Sequence, residues 1–316
     1  MYYPYLRGKQ FELLALREFS AKFNNNTKIV PIIEPVKNQM NGMNIAVAAM
    51  LENSIRFAMI LNPKDGDFKH VSDNDIIKNL PKLIESKGSW IPAYIYKNNG
   101  LKLLEHAERN GLSNLMVIFP SGADVSDEKV MSFLADKMVA YIVSGNLNIN
   151  RSAKNRLLKL KKSVISLEDR FNDKPRNADY AIEPDEMFSE DFFYYRDDKL
   201  DGFSDFTPMV KDYIEGGMMP YAIAIHLTYQ KSEDQIFVHH FVSDNNYDQS
   251  NIRGKFHEAA VKISSFYKAG GYIHTAAVDE LINRSLSEEN GYPGLGYIKK
   301  LSLMNHLELM NRILPE

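Results

Sequence analysis

The chain has 316 residues, 44% of them hydrophobic and 25% charged, with a net charge of −3 and no cysteine. Such a composition supports a full buried core and argues against long disorder and against wholesale electrostatic wrapping of nucleic acid. The lack of cysteine excludes disulfide scaffolds, thiolate zinc sites and thiol nucleophiles. No basic-then-apolar leader opens the chain and no apolar run is long enough to span a bilayer, so a cytoplasmic protein is expected.

In chain order, "YYPYLRG" is an apolar extended run, and "QFELLALREFSAKF" places Phe11, Leu14, Ala15 and Phe19 at helical spacing. "KIVPIIEPV" and "NIAVAAMLEN" repeat the strand-then-helix form. Further strands are predicted at "IRFAMILNP", "WIPAYIYK", "NLMVIFPSG", "MVAYIVSG", "SVISLEDR" and "GFSDFT", with "LKLLEHAERNG" and "DEKVMSFLADK" among the intervening helices. Most of these strands are separated by roughly 25 to 30 residues, the size of one βα unit. Their apolar character is continuous rather than alternating, as in parallel strands covered by helices on both faces. The reading is an α/β fold of the (β/α)8 TIM-like barrel type; a doubly wound open sheet has the same local signals.

Past Thr207 the pattern changes. "MPYAIAIHLTY" and "DQIFVHHFVSD" form a predicted antiparallel hairpin, and "GYIKKLSLMNHLELMNRIL" a C-terminal helix. The expected organisation is one domain over residues 1–316, with the barrel to about residue 210 and the added hairpin and helical extension beyond it. The acidic connection 172–201 is long enough to be a lid or to hold short elements of its own.

The residues "YPYLRGKQFELLAL" and "IVPIIEPV" resemble the opening of the phage-type beta-protein family. "GFSDFTP", "YAIAIHLTYQ", "HHFVSDNN" and "GYPGLGYIKKLSLMNHLELM" resemble a branch of that family encoded beside a small nuclease-like protein in bacterial mobile and defence islands. The resemblance spans nearly the whole chain. It implies a barrel-like fold, a setting in phage conflict and a protein partner, and it supplies no mechanism.

In a (β/α)8 barrel, function gathers where the strands end, because the βα loops converge there. That rule selects Arg7, Lys9, Asn62, Lys64, Asp169 and Arg170 as ligand-binding candidates and Glu34, Glu168 and Asp205 as catalytic ones. Tyr96, Lys97, Ser121 and Ser144 also end strands. Several cations suit a phosphate-bearing ligand, and three acids suit a hard cation such as magnesium or manganese. Acids and bases at strand ends also form ion pairs that merely orient loops.

His239 and His240, adjacent on a strand, must point to opposite faces. With His226, Asp244 and His257 they could build a site, but no metal-ligand spacing appears and ordinary strand histidines are the plainer reading. The basic stretch "RSAKNRLLKLKK" reads as a solvated outer helix face, with a phosphate-backbone contact as the alternative. "FVSDNNYDQSNIRG" lacks calcium-loop spacing and reads as a turn into a helix capped near Asn251. The function expected is a ligand-binding or regulatory component of a phage-defence or mobile-element system, acting with a nuclease-like partner. A metal-dependent phosphodiesterase or nuclease acting on nucleotide or nucleic acid is the alternative.

Overall fold

In the computed structural model, which describes residues 1–69, 76–216 and 219–315, all eight apolar runs are strands of a single sheet. β1 (Tyr5–Leu6), β2 (Ile32–Ile33), β3 (Ala58–Ile60), β4 (Ile91–Ile95), β5 (Leu115–Phe119), β6 (Val139–Gly145) and β7 (Ser163–Glu168) pair in order, each parallel to the last. The next strand, β8 (Asp185–Ser189), belongs to a second sheet, and β9 (Gly202–Asp205) takes the eighth place beside β7.

The residues ahead of β1 close the ring. Tyr2 bridges to Ile29 on one side and to Phe203 on the other, Tyr3 N donates to Phe203 O at 2.8 Å, and Phe203 N donates to Met1 O at 3.1 Å. The open doubly wound alternative is thereby excluded, and the fold is a TIM-like barrel. Helices α1 (Gln10–Lys22), α2 (Asn41–Glu52), α3 (Ile76–Asn79), α4 (Pro81–Glu85), α5 (Gly100–Arg109), α6 (Glu128–Ala135) and α7 (Arg151–Leu158) fill the connections. In α1 the buried residues Leu13, Ala15, Leu16 and Phe19 form the stripe that faces the strands, and Glu12 anchors the N-terminus by accepting the N–H of Arg7 at 2.6 Å.

Alternate residues of the strands fill the interior. Tyr3, Tyr5, Val30, Ile32, Ala58, Ile60, Ile91, Ala93, Ile95, Met116, Ile118, Val143, Ile165, Leu167 and Phe206 make one buried cluster. Because side chains alternate along a strand, this cluster fixes which strand-end residues face the mouth and which face the helices.

The chain divides into two compact units: the barrel, Met1–Asp169 with Tyr194–Phe206, and a second unit, Arg170–Phe193 with Thr207–Glu316. One division falls between Phe206 and Thr207, near the expected residue 210, and residues 170–193 join the second unit as well. The cause is β8, which pairs antiparallel with β11 (Ile236–Val242) and carries residues 170–193 into the second unit. The 172–201 connection thus holds elements of its own: a 3-10 turn at Asn177–Ala181, β8, and the one-turn helix α8 (Asp191–Tyr194).

The second sheet has the order β10-β11-β8, with β10 (Ala224–Gln230) and β11 forming the expected hairpin. One face packs on α9 (Ile252–Gly270): Tyr229, His239 and Phe241 meet the ring of Phe266. The other packs on α11 (Leu295–Ile313), where His306 Nδ1 lies 2.9 Å from Thr228 Oγ1 and Asn305 Nδ2 donates to Thr228 O at 2.8 Å. α10 (Ala276–Arg284) joins the network through its N-cap Thr275, which donates to Asn305 Oδ1 at 2.9 Å. No helix among the described residues is long and apolar enough to cross a membrane.

Candidate functional site at the barrel mouth

The first strand reaches the mouth through "RGK". Gly8 turns the chain there with φ +58; a Cβ at that position would lie 2.7 Å from Met43 Cε and 3.0 Å from Glu34 O. The turn separates its neighbours: Arg7 is buried, whereas Lys9 is half-exposed at the start of α1. Arg7 lies two residues beyond Tyr5, on the inner face. Its Nη1 donates to Glu34 Oε2 at 2.6 Å and lies 3.3 Å from Asp65 Oδ2, and its guanidinium sits 5.0 Å from the Tyr5 ring centroid and 5.4 Å from that of Phe206.

Glu34, two residues beyond Ile32 on β2, is fully buried and saturated. Its Oε2 accepts the Tyr5 hydroxyl at 2.7 Å as well as Arg7, and its Oε1 accepts the Lys64 N–H at 2.9 Å. Burial works to lower the Arg7 pKa, but Tyr5, Glu34 and Asp65 outweigh it and hold the guanidinium above its ordinary value. Burial, reinforced by Glu34, raises Tyr5 well above the usual phenol range, so it remains a neutral donor. Arg7, Glu34 and Asp65 together form a rigid cluster in which one cation is already shared between two acids, a poor grip for a further anion.

Glu168 and Asp205 do not join Glu34. Leu167 and Phe206 are interior residues, so Glu168 and Asp205, each one residue away and paired with each other across β7 and β9, face the helical layer. Asp205 is buried there and accepts the Tyr2 hydroxyl at 2.6 Å. The expected convergence of Glu34, Glu168 and Asp205 is therefore corrected. Three carboxylates divided between the two faces of a barrel wall do not fit one magnesium or manganese ion, and among the described residues no group of three or more His, Asp or Glu could hold a metal.

Asn62 is also reassigned. Its amide spans β3 and β4, donating to Ile95 O at 2.7 Å and accepting Ile95 N–H at 2.8 Å, which extends the ladder and commits the side chain to the wall. Arg170 lies in the second unit and grips Asp191 with two bonds of 2.9 and 2.7 Å. Asp169 is exposed at the residue after Glu168, so its parity is that of the inner face.

Lys97 comes forward by the same parity. The β4 ladder continues to Tyr96, whose N–H donates to Ile118 O at 2.9 Å, and the Tyr96 ring packs outward on Phe119 and Phe133, with centroids at 4.9 and 5.4 Å. Lys97 follows on the inner parity, exposed. Lys64 is tied to the same region by its backbone N–H, which donates to Glu34 Oε1.

The sequence singled out neither Tyr5 nor Asp65. Tyr5 carries a signal, standing at i−2 from Arg7 on one strand face; Asp65 belongs to a loop without periodicity.

The histidine pair on β11 behaves as its spacing requires: His239 stacks on Phe266 at 4.0 Å on one face, while His240 faces His226 on the other. In the basic helix α7, Lys154 pairs with Asp198, and Arg156 donates to Val125 O at 2.6 Å. These ties favour the structural reading of that stretch.

No protein-family model matches the chain. No curated protein matches it either. A solved structure from Coccidioides immitis, provisionally described as a fructose-1,6-biphosphate aldolase, is similar at a TM-score of 0.38 and 11% identity over 64% of this chain and 72% of the other. So loose a likeness says nothing about chemistry.

Proposed function

We propose that this chain is a ligand-binding, regulatory component of a bacterial phage-defence or mobile-element system, working in the cytoplasm with a nuclease-like protein partner. Its barrel mouth takes an anionic, phosphate-bearing ligand, whose charge is met by Lys64 and Lys97 above the fixed Arg7–Glu34–Asp65 cluster. The setting and the partner rest on the sequence resemblance. The observation that supports binding over hydrolysis is the division of the acids: Glu34 faces inward and is saturated, whereas Glu168 and Asp205 face the helices. Metal-assisted phosphodiester hydrolysis needs carboxylates that converge on the attacked phosphorus and its water, and a metal held in place between them.

Co-expression with the nuclease-like neighbour and purification through a tag on this chain tests the reading. The two proteins co-elute, and the isolated chain shows no turnover of nucleotides or nucleic acid with magnesium or manganese. Metal-dependent turnover by the isolated chain, abolished in the Glu34→Gln variant, would overturn it.

A further inference from the structure

The second unit contains a buried polar cluster that the barrel mouth does not use. His226 on β10 and His240 on β11 are register partners, and their Nδ1 atoms lie 2.7 Å apart. Two ring nitrogens at that distance share one proton, one ring donating and the other accepting. On the far side of the ring, His240 Nε2 lies 3.7 Å from Glu186 Oε2 of β8, and both atoms are buried without a hydrogen-bond partner. That arrangement assigns the tautomers. His240 carries its proton on Nε2, toward the carboxylate, and accepts from His226 at Nδ1; the opposite choice would aim a lone pair at Glu186.

A strap of chain, Phe171 to Ala181, lies over this pair. The Tyr180 ring is 4.6 Å from both imidazoles, and the Phe171 ring 5.1 Å from His226 and 6.0 Å from His240. Asn172 Nδ2 donates to Glu186 Oε1 at 3.1 Å, Lys174 Nζ sits 2.6 Å from the same oxygen, and Asn177 Nδ2 donates to Ala222 O at 2.8 Å. Tyr180 is itself fixed, accepting Lys174 N–H at 3.1 Å and donating to Asp173 at 3.2 Å. Most of the strap's anchors therefore converge on the histidine pair and on the glutamate behind it.

We propose that the His226–His240 pair is an acid-released latch: while both rings are neutral it holds the Phe171–Ala181 strap on the sheet, and proton uptake by both rings frees the strap without unfolding the sheet. With both rings cationic, two N–H groups would face each other and the bond between them would be lost.

Charged groups surround the pair on every packed element. Glu186 on β8 favours the cationic form, and Asp173 approaches through Tyr180; Lys174 on the strap, His239 on β11 and Lys299 on α11 oppose it. Burial, reinforced by those cations, outweighs Glu186 and holds His226 well below its usual value and His240 at about 4. Once the strap is open and the rings are wet, each titrates near the ordinary value of about 6.5, so the open form gains protons as the pH falls below it.

Hydrogen exchange read by mass spectrometry, corrected for the intrinsic pH dependence of exchange, tests the latch on the full chain. Between about pH 7.5 and about pH 5.5, protection of 171–181 falls roughly tenfold for each histidine, up to about a hundredfold, while β11 changes less than about twofold. The H226Q/H240Q variant shows no such fall. Strap protection that is constant with pH, strap and sheet losing protection together, or a fall that persists in the variant would each overturn the proposal. Should the variant fail to fold, exchange of the wild-type strap at closely spaced pH values decides: the latch requires protection to be level above about pH 6.5 and to fall below it, and a fall confined to the range above about pH 6.5 contradicts it.

Discussion

Glu34 is held by three donors, and Arg7 is the charged one among them. Removing Arg7 would leave a fully buried carboxylate beside Asp65 with its counter-ion gone, and breaking a buried pair in this way costs about 3–5 kcal/mol. Urea unfolding of Arg7→Ala is therefore expected to show a loss of that size, and Tyr5→Phe, which deletes one buried donor, a loss of about 1–3 kcal/mol. Lys64 and Lys97 behave in the opposite way. Neither side chain has a structural role in the barrel wall, so Lys64→Ala and Lys97→Ala should change stability by no more than about 0.5 kcal/mol while weakening ligand binding. Equal destabilisation by the arginine and lysine variants would show that the mouth is not divided into a fixed floor and a cationic rim. Asp205→Asn, which weakens the bond from Tyr2 on the outer face, should lower stability and leave ligand binding unaltered.

At the scale of elements, Ile60 and Ile118 lie in the interior cluster and are both fully buried; truncation of either to Ala should cost about 2–5 kcal/mol in the same unfolding assay. Most of the barrel strands were legible because they are short, continuous apolar runs at βα spacing. The same continuity hid the parity of their ends. In "SVISLE" Val164 to Leu167 are all buried, one face against the interior and one against helices, so the run does not say which of the two faces Glu168 joins. Only the packed ring decides, and it places Leu167 inside and Glu168 out. β8 was illegible for another reason. "DEMFS" is short and half acidic, and its strand character comes from β11, its partner about fifty residues further along the chain, rather than from its own propensity. Gly8 and the hairpin could be read locally, since a positive-φ turn and a close-range antiparallel pair are properties of neighbouring residues.

For the molecule as a whole, the buried histidines set a limit on the acid side. His240 is held at about 4 and His306 at about 3, the first by burial against the pull of Glu186 and the second by burial alone. Both lie below the ordinary value of 6.5, so the unfolded chain binds more protons than the folded one throughout the interval. Stability should therefore be complete above about pH 6.5 and fall as the pH drops, by about 1.4 kcal/mol per pH unit for each of the two histidines, until each folded value is passed. Urea midpoints at a series of pH values check this, and a flat response from about pH 7 to about pH 5 would contradict it.

The account of function rests on a mouth that meets an anion with lysines and without a metal. Calorimetric titration of inorganic pyrophosphate into the metal-free protein, and into the K64A/K97A variant, tests that claim most directly. Binding by the wild type that is unchanged on adding magnesium and lost in the variant is the result expected. Binding that appears only with magnesium, or that survives in the variant, would contradict the account.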